Sequence, residues 1–440
     1  MPSSIHHYTL MILFFVLEIS VSSAAKYKRP KPTALLFPIS KDTKTLQYYT
    51  TLDISKQENS VQLVLDLGGP HTWLNCDANE LRRYKSIRCG SQKCAKYNTL
   101  DNKCCNRPFT PGCTKGACAV YSYNAYIFGP VSLGLREDAL FAVDTNGVSA
   151  GAPYQAPKPF PFTCSDSDLL RGLANGTKGM TGIANTTTSL PAQITTQFEL
   201  PHKFALCMPS TSEYAPGHMF VGRGPYFFPP YLKDIANELI KTQLVVNPLS
   251  TAPVYHTGDP SYDYFINVKS IKVDHKPISF NSSLLFINEE GYGGTTFSTL
   301  TPFTKLDTSI YESLVSAFTK AAALRKMKRV SSVAPFGACY KAKSVARSQT
   351  GPVVPYIDIG LAGSKKDWRF YGVNSMVSVN EEVLCLAFVD IGQFPRTSIV
   401  IGGHQMENYL LEFDLDSSNL GISTSLLLQD TTCSQSREMQ

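Results

Sequence analysis

The chain reads as a mainly β protein arranged in two lobes, and three observations predict this. Its 440 residues exceed what a single hydrophobic core ordinarily serves. Val, Ile, Phe, Tyr and Thr recur in short runs broken by 29 glycines and 28 prolines, so strands and turns rather than helices must carry the architecture. Residues 61–77 drive an apolar strand into a carboxylate at a glycine turn, and the other segments can be ordered around that stretch.

The N-terminal segment sets the compartment. Residues 9–17, TLMILFFVL, form an unbroken apolar run followed by small residues up to Ser22, Ser23 and Ala24. This is the pattern of a secretory signal peptide over residues 1–24, cleaved near Ala24 or Ala25, although its leading part holds only His6 and His7 and no Lys or Arg. All twelve cysteines follow it, which suits an oxidising compartment and up to six disulfides. Sequons at Asn175, Asn185 and Asn281 are expected glycosylation sites. No later stretch has the length and apolarity of a membrane span, so a soluble, secreted glycoprotein is expected. The formal charge of +6 is dispersed, densest at residues 325–329, and no nucleic-acid-binding module surrounds it. Neither a nucleic-acid nor a membrane partner is expected, while acidic surroundings would be tolerated.

Residues 26–34 are basic and contain prolines, and read as an extended terminus. Strands are expected at 34–37 and 46–54, leading into the central stretch. There residues 63–65 run into Asp66, Gly68 and Gly69 permit a tight turn, and Trp73 and Leu74 resume the apolar pattern. A carboxylate so placed does acid–base chemistry with a facing partner: two such groups cannot both ionise, so they share a proton and polarise a water between them. Seven cysteines follow at Cys76, Cys89, Cys94, Cys104, Cys105, Cys113 and Cys118. Zinc is the alternative for clustered thiolates. The absence of paired C-x2-C spacings and the adjacent Cys104 and Cys105 fit a disulfide knot better. Cys164 is expected to complete this set, leaving Cys207, Cys339, Cys385 and Cys433; spacing leaves the pairing open.

Short strands continue over 119–146, residues 150–161 read as a Pro-rich connection, and 169–180 as a Gly-rich loop. A helix is expected after Ser189, with Pro191 early and Ile194 and Phe198 four residues apart. Strands at 204–208 and 218–221 should pair. Residues 226–248 connect an N-terminal lobe, 25–225, to a C-terminal lobe, 226–440. The second lobe repeats the idiom, with strands at 264–268, 270–273 and 284–287 and a turn at His275 and Lys276. A helix is expected over 310–323 with Leu314, Val315, Phe318 and Ala322 on its apolar face and Ser309 and Glu312 as a capping box. Residues 397–423 give a buried strand, a Gly-Gly turn and an outer hairpin.

Together these stretches resemble the pepsin-like aspartic proteases, and within them the plant branch with twelve cysteines. Asp66-Leu67-Gly68-Gly69 stands where that family has Asp-Thr-Gly-Ser, Trp73 matches its following Trp, and Ile401-Gly402-Gly403 with Phe413-Asp414 resembles its closing Leu-Gly and Phe-Asp signature. The resemblance spans essentially the whole mature chain and implies a mainly β, bilobed pepsin-like fold. It also implies a second catalytic Asp after a Gly-Gly-Thr strand. Here Gly293-Gly294-Thr295 leads through Thr296 and Phe297 to Ser298 at that position, and a hydroxyl cannot be an ionised partner.

The first motif departs as well. Leu67 replaces the Thr that resembles the family's inter-loop hydrogen-bonding group, and Gly69 replaces the Ser or Thr that contacts the Asp. Residues 120–134 lack a Tyr-Gly-x-Gly flap, with Tyr121, Tyr123 and Tyr126 available for that region. Asp307 precedes a helix, where Asp caps, and Asp358 lies well beyond it, so neither is taken as the second acid. A catalytically inactive scaffold is expected, with no metal and no cofactor.

Within the plant branch the chain resembles apoplastic inhibitors of microbial glycoside hydrolases, the group of xyloglucan-specific endoglucanase inhibitors and extracellular dermal glycoproteins. The tracts 329–336 and 396–405 carry that resemblance. It implies a monomeric cell-wall inhibitor of a microbial xyloglucan-specific endo-β-1,4-glucanase of glycoside hydrolase family 12. Such an enzyme flanks the scissile bond with two carboxylates, and an inserted guanidinium could pair bidentately with one. Arg396 beside Pro395 is the first candidate contact, Arg329 the second and Phe394 a neighbouring one, although a surface Arg on a loop is ordinarily just solvated. His404 reads as structural and Asp66 as a remnant. The alternative is an endoxylanase inhibitor or a basic 7S globulin-like storage or peptide-binding protein.

Overall fold

Side chains that alternate along short β-prone runs build most of the molecule. In the strand Tyr48–Ile54, Tyr48, Thr50, Leu52 and Ile54 are buried and the residues between them less so, the period of two that its sequence predicts. It pairs antiparallel with Ser60–Asp66, Tyr49 opposite Val64. The last four residues of Ser60–Asp66 are all buried, because Gly179–Gly182 runs parallel along its other side. The computed structural model describes residues 31–434 except 58, 77–82, 98–103, 106–110, 128, 212 and 214. The expected signal peptide therefore lies outside the described residues.

One device occurs twice. Trp73–Asn75 runs parallel to Phe160–Ser165 and antiparallel to Gly179–Gly182. In the second half Thr295–Phe297 runs parallel to Ile399–Ile401, and Thr304–Leu306 runs parallel to Phe388–Asp390 and antiparallel to Ile399–Ile401. This is the bilobed, mainly β pepsin-like fold, and among the described residues 21 strands join one continuous network.

The halves meet on a shared antiparallel platform. Ala34–Lys41, Gly217–Gly222, Lys203–Cys207, Leu410–Asp414, Asn419–Ile422 and Ile240–Val245 pair in that order. The hairpin expected on the outside is thus central: Leu410, Leu411 and Phe413 are fully buried. Phe204 from the first half stacks on Phe413 from the second at 4.7 Å, with Tyr264 against the same ring at 4.6 Å. Such contacts add about 1 kcal/mol each beyond area burial.

Other expectations are corrected. Residues 150–161 are not a connection but hold the strand Ala150–Gln155 and the first two residues of Phe160–Ser165. Among the described residues Ala150–Gln155 pairs only with Leu140–Thr145, and Pro153 is tolerated on that edge. Residues 284–287 form no strand, because Asn281 Oδ1 accepts the Ser283 N–H at 3.1 Å and starts the 3-10 turn Ser282–Leu285. The 226–248 connection contains the platform strand Ile240–Val245. The long helix is Thr308–Leu324; Asp307 caps it, as its place before the helix predicts, and the Ser309 and Glu312 capping box does not form, since Asp307 Oδ1 accepts from Ser309 N at 2.9 Å and from Ser309 Oγ at 2.7 Å.

All twelve cysteines are paired, as Cys76–Cys164, Cys89–Cys104, Cys94–Cys118, Cys105–Cys113, Cys207–Cys433 and Cys339–Cys385. No thiolate remains for zinc. Cys207–Cys433 ties the C-terminal segment to the platform across 226 residues.

Candidate functional site

Strand register places two unlike turns in equivalent positions. Leu65 pairs with Thr181 and Asp66 with Gly182. Phe297 pairs with Ile401, and the Ser298 N–H donates to Ile401 O at 2.9 Å, so Ser298 stands where Asp66 stands in the first half. From both residues the chain returns after the same interval, Trp73 opposite Met180 and Lys305 opposite Val400.

An oxygen on the first residue holds each turn. Asp66 Oδ1 accepts from Gly68 N at 3.0 Å, while Ser298 Oγ accepts from Leu300 N and Thr301 N, both at 3.2 Å. The hydroxyl meets the backbone as the carboxylate does but carries no charge. Between the turns Thr299 Oγ1 donates to Leu65 O at 2.5 Å and accepts the Leu67 N–H at 3.0 Å. Leu67 has no hydroxyl to return the bridge, and its side chain is buried in the core. A Cβ on Gly69 would lie 2.8 Å from Asp66 Oδ2 and 3.0 Å from Gly182 Cα, so the Ser or Thr of the resembling family has no room there.

A hairpin closes over both turns. Its strands are Ala119–Ser122 and Val131–Asp138. At its tip Tyr123 OH donates to Gly68 O at 3.4 Å and Tyr126 OH to Leu300 O at 3.0 Å. Trp73 Nε1 donates to Tyr123 O, and Asn124 Nδ2 donates to Leu169 O and Arg171 O, fixing the tip. Asp66 is left 5% exposed. A cavity of about 210 Å³ lies beside the hairpin, lined among others by His71, Tyr97, Tyr121, Tyr123, Thr188 and Tyr262. Burial pushes His71 down to about 4, so it is a neutral wall.

A second carboxylate does reach Asp66, from a position that sequence reasoning missed. Asp263 precedes the strand Phe265–Ile266; the Thr251 hydroxyl donates to its Oδ2, and its N–H donates to Ser261 Oγ at 3.1 Å. A Cβ on Gly68 would lie 2.8 Å from Asp263 Oδ1 and 3.7 Å from Asp66 Oδ1, so both carboxyls border the vacant side-chain position of that glycine. Burial pushes Asp66 up to about 7; the Gly68 and Gly69 N–H groups oppose this and the charge on Asp263 adds to it. Burial also raises Asp263, against its bonds from Thr251 and Ser261. No motif surrounds Asp263 in the sequence, and only the fold brings it to Asp66.

The other candidates lie elsewhere. Phe394 is 85% exposed on a left-handed backbone, φ 56°. On the same loop the Arg396 guanidinium carbon lies 5.9 Å over the Tyr292 ring, and Arg396 O accepts the Gly293 N–H at 2.9 Å. Arg396 is thus folded back on its neighbours, with Nε buried and unpartnered, rather than projecting. Arg329 opens a separate short strand, exposed, and donates from Nη2 to Gly337 O at 3.2 Å. Asn175, Asn185 and Asn281 are all exposed. Asp358 is fully buried and takes Arg369 Nε at 2.7 Å and Nη2 at 3.0 Å. His404 bonds Met376 O through Nε2 and faces Glu407 with Nδ1.

Comparison with known proteins gives a consistent result. A family model described as xylanase inhibitor N-terminal matches residues 48–223, and one described as xylanase inhibitor C-terminal matches 263–424. A probable aspartic proteinase GIP2 of Nicotiana benthamiana is 40% identical over 432 residues, covering 98% of this chain and 97% of that protein. Gamma conglutin 1 of Prunus dulcis is 35% identical over 98% of this chain and 97% of its own, and basic 7S globulin 2 of Glycine max 30% over 97% and 96%. The crystal structure of edgp superposes with a TM-score of 0.88 at 39% identity, covering 94% of this chain and 100% of the other. That of conglutin gamma from lupine seeds superposes at 0.75 and 28%, covering 93% and 100%. With six disulfides and this kinship the protein is a secreted, extracellular one. The chain belongs to the pepsin-like aspartic-protease homologues, in the branch that unites the xylanase-inhibitor, conglutin and basic 7S globulin sequences.

Proposed function

We propose that this chain is a noncatalytic, globulin-like storage or peptide-binding protein, a reading its kin support better than inhibition specific to a xyloglucanase. The observation that carries it is the closed cleft: Tyr123 and Tyr126 are tied to the two turns where a substrate would lie. A peptidase of this fold needs a water held between two facing carboxylates. Ser298 offers a hydroxyl there, and Asp66 is covered. Full-length similarity to gamma conglutins and basic 7S globulins, one of them from lupine seeds, supports the globulin-like role. The cavity of about 210 Å³, walled by tyrosines and threonines, offers room for a peptide side chain. In this reading the protein is a monomer of the apoplast or cell wall that needs no cofactor.

The exposed Phe394 beside Arg396 favours a second reading, inhibition of a glycoside hydrolase. An endoxylanase comes first, because both matching family models carry that name, and a microbial xyloglucan-specific endo-β-1,4-glucanase second. Titrating the purified protein into xylanase and family-12 xyloglucanase assays separates the readings, with acid proteolysis of a denatured protein as a control. The storage reading expects full hydrolase activity at about tenfold molar excess and no proteolysis. Dose-dependent inhibition that weakens in Arg396→Ala gives the second reading. Proteolysis lost in Asp66→Asn overturns both.

A further inference from the structure

Asp66 and Asp263 come from distant parts of the chain and both border the vacant side-chain position of Gly68, with no salt bridge to a basic side chain among the described residues. The groups that face them are Tyr123 and Tyr126 from the hairpin tip, Tyr262 and Tyr264 beside Asp263, the Gly68 and Gly69 N–H groups, and the hydroxyls of Thr251 and Ser261. None of these supplies a positive charge. Two carboxylates so placed cannot both ionise without cost, and they titrate as a pair rather than singly.

Gly68 joins the acids to the closed hairpin. Its N–H holds Asp66 Oδ1, its carbonyl holds Tyr123 OH, and the space where a side chain would stand is taken by Asp263 Oδ1. We propose that Asp66 and Asp263 form a coupled acid pair that retains one proton, and that this proton keeps Tyr123 latched on the Gly68 carbonyl. When the proton leaves to solvent, repulsion between the two carboxylates that border Gly68 displaces the first turn and frees Tyr123, opening the cavity that Tyr121, Tyr123 and Tyr262 line. Tyr126 is held by Leu300 O on the other turn, outside the pair, so the hairpin loosens from one side. The device is closed in acid and loose above neutrality.

Amide hydrogen exchange read by mass spectrometry on the full secreted chain, corrected for intrinsic pH dependence, tests this with wild type, Asp66→Asn and Asp263→Asn. Protection of peptides covering 119–127 is expected to fall about tenfold in wild type between about pH 5 and pH 8.5, and less than about twofold in either variant. An equal fall in all three proteins overturns the proposal. Should an Asn variant fail to fold, infrared titration of the wild type decides. A protonated carboxyl band that persists to about pH 6 supports the pair, and its disappearance by about pH 5 overturns it, since ordinary Asp and Glu are ionised by then.

Discussion

The turn at Asp66 and the turn at Ser298 are equivalent in register, and the chain around each has adjusted to a different occupant. At the first, glycines stand at 68 and 69, because the carboxylates of Asp66 and Asp263 fill the space their side chains would need. At the second, Leu300 and Thr301 occupy the same steps, and a hydroxyl suffices to hold their N–H groups. A hydroxyl at one turn leaves the carboxyl at the other without a facing acid from the equivalent position. The acid that remains is buried, stripped of the partner that its fold was built to give it, and met instead by a carboxyl from elsewhere.

The largest expected effect follows from that asymmetry. Asp66 is raised from 3.8 to about 7, so its contribution to stability is fully present below about pH 4 and is lost as pH rises through about 7. The loss is of the order of 4 kcal/mol at most. Because the depressed His71 titrates over the same range with the opposite sign, the test is a difference: by urea unfolding, wild type should lose stability relative to Asp66→Asn as pH rises, with Ser298→Ala following wild type. A wild-type to Asp66→Asn difference that does not change with pH would place the titrating group elsewhere.

Removing the surviving bridge should come next. Thr299→Val deletes the one hydroxyl that satisfies both Leu65 O and Leu67 N in a buried setting, at a cost of about 3 kcal/mol. Denaturant midpoints measure it, and the opposite exchange, Leu67→Thr, should not restore it, because Leu67 belongs to the apolar core. Gly69→Ser follows at about 2 kcal/mol, since backbone at Gly182 blocks the new Cβ. The equivalent Thr301→Gly should cost less, about 1 kcal/mol, through chain entropy alone.

What was legible in the sequence were features with a local cause. The strand into Asp66 shows in its apolar run, and Ser298 can be reached by counting between a Gly-Gly-Thr strand and a helix. The helix at residues 308–324 shows in its period. Elements decided by distant partners were not legible. The 410–422 hairpin is central only because Lys203–Cys207, about half the chain away, pairs with it. Asp263 meets Asp66 only because the second half folds back past Ile183 and Asn185, where Tyr264 OH and Tyr262 O make hydrogen bonds. The missed 3-10 turn at residues 282–285 is a third kind of failure: Leu284 to Ile287 has the composition of a strand, and one Asn side chain diverts it.

The smallest effect on stability discriminates most sharply between the two turns and the outer loop as sites of function. Phe394 touches little, so Phe394→Ala should shift the unfolding free energy by no more than about 0.5 kcal/mol. Phe394→Gly should be neutral or stabilising, because glycine adopts the observed φ of 56° without strain. A bulky aromatic kept in a left-handed backbone at a loop tip gains nothing for the fold, whereas every side chain at the Asp66 turn is tied into it. If the loop docks on a hydrolase, Phe394→Gly should weaken inhibition about tenfold or more with thermal stability unchanged, the signature of a contact that acts only on binding. If the storage reading holds, the same variant alters neither quantity, and the chemistry of this protein then lies behind Tyr123, at the one turn where a carboxylate was kept.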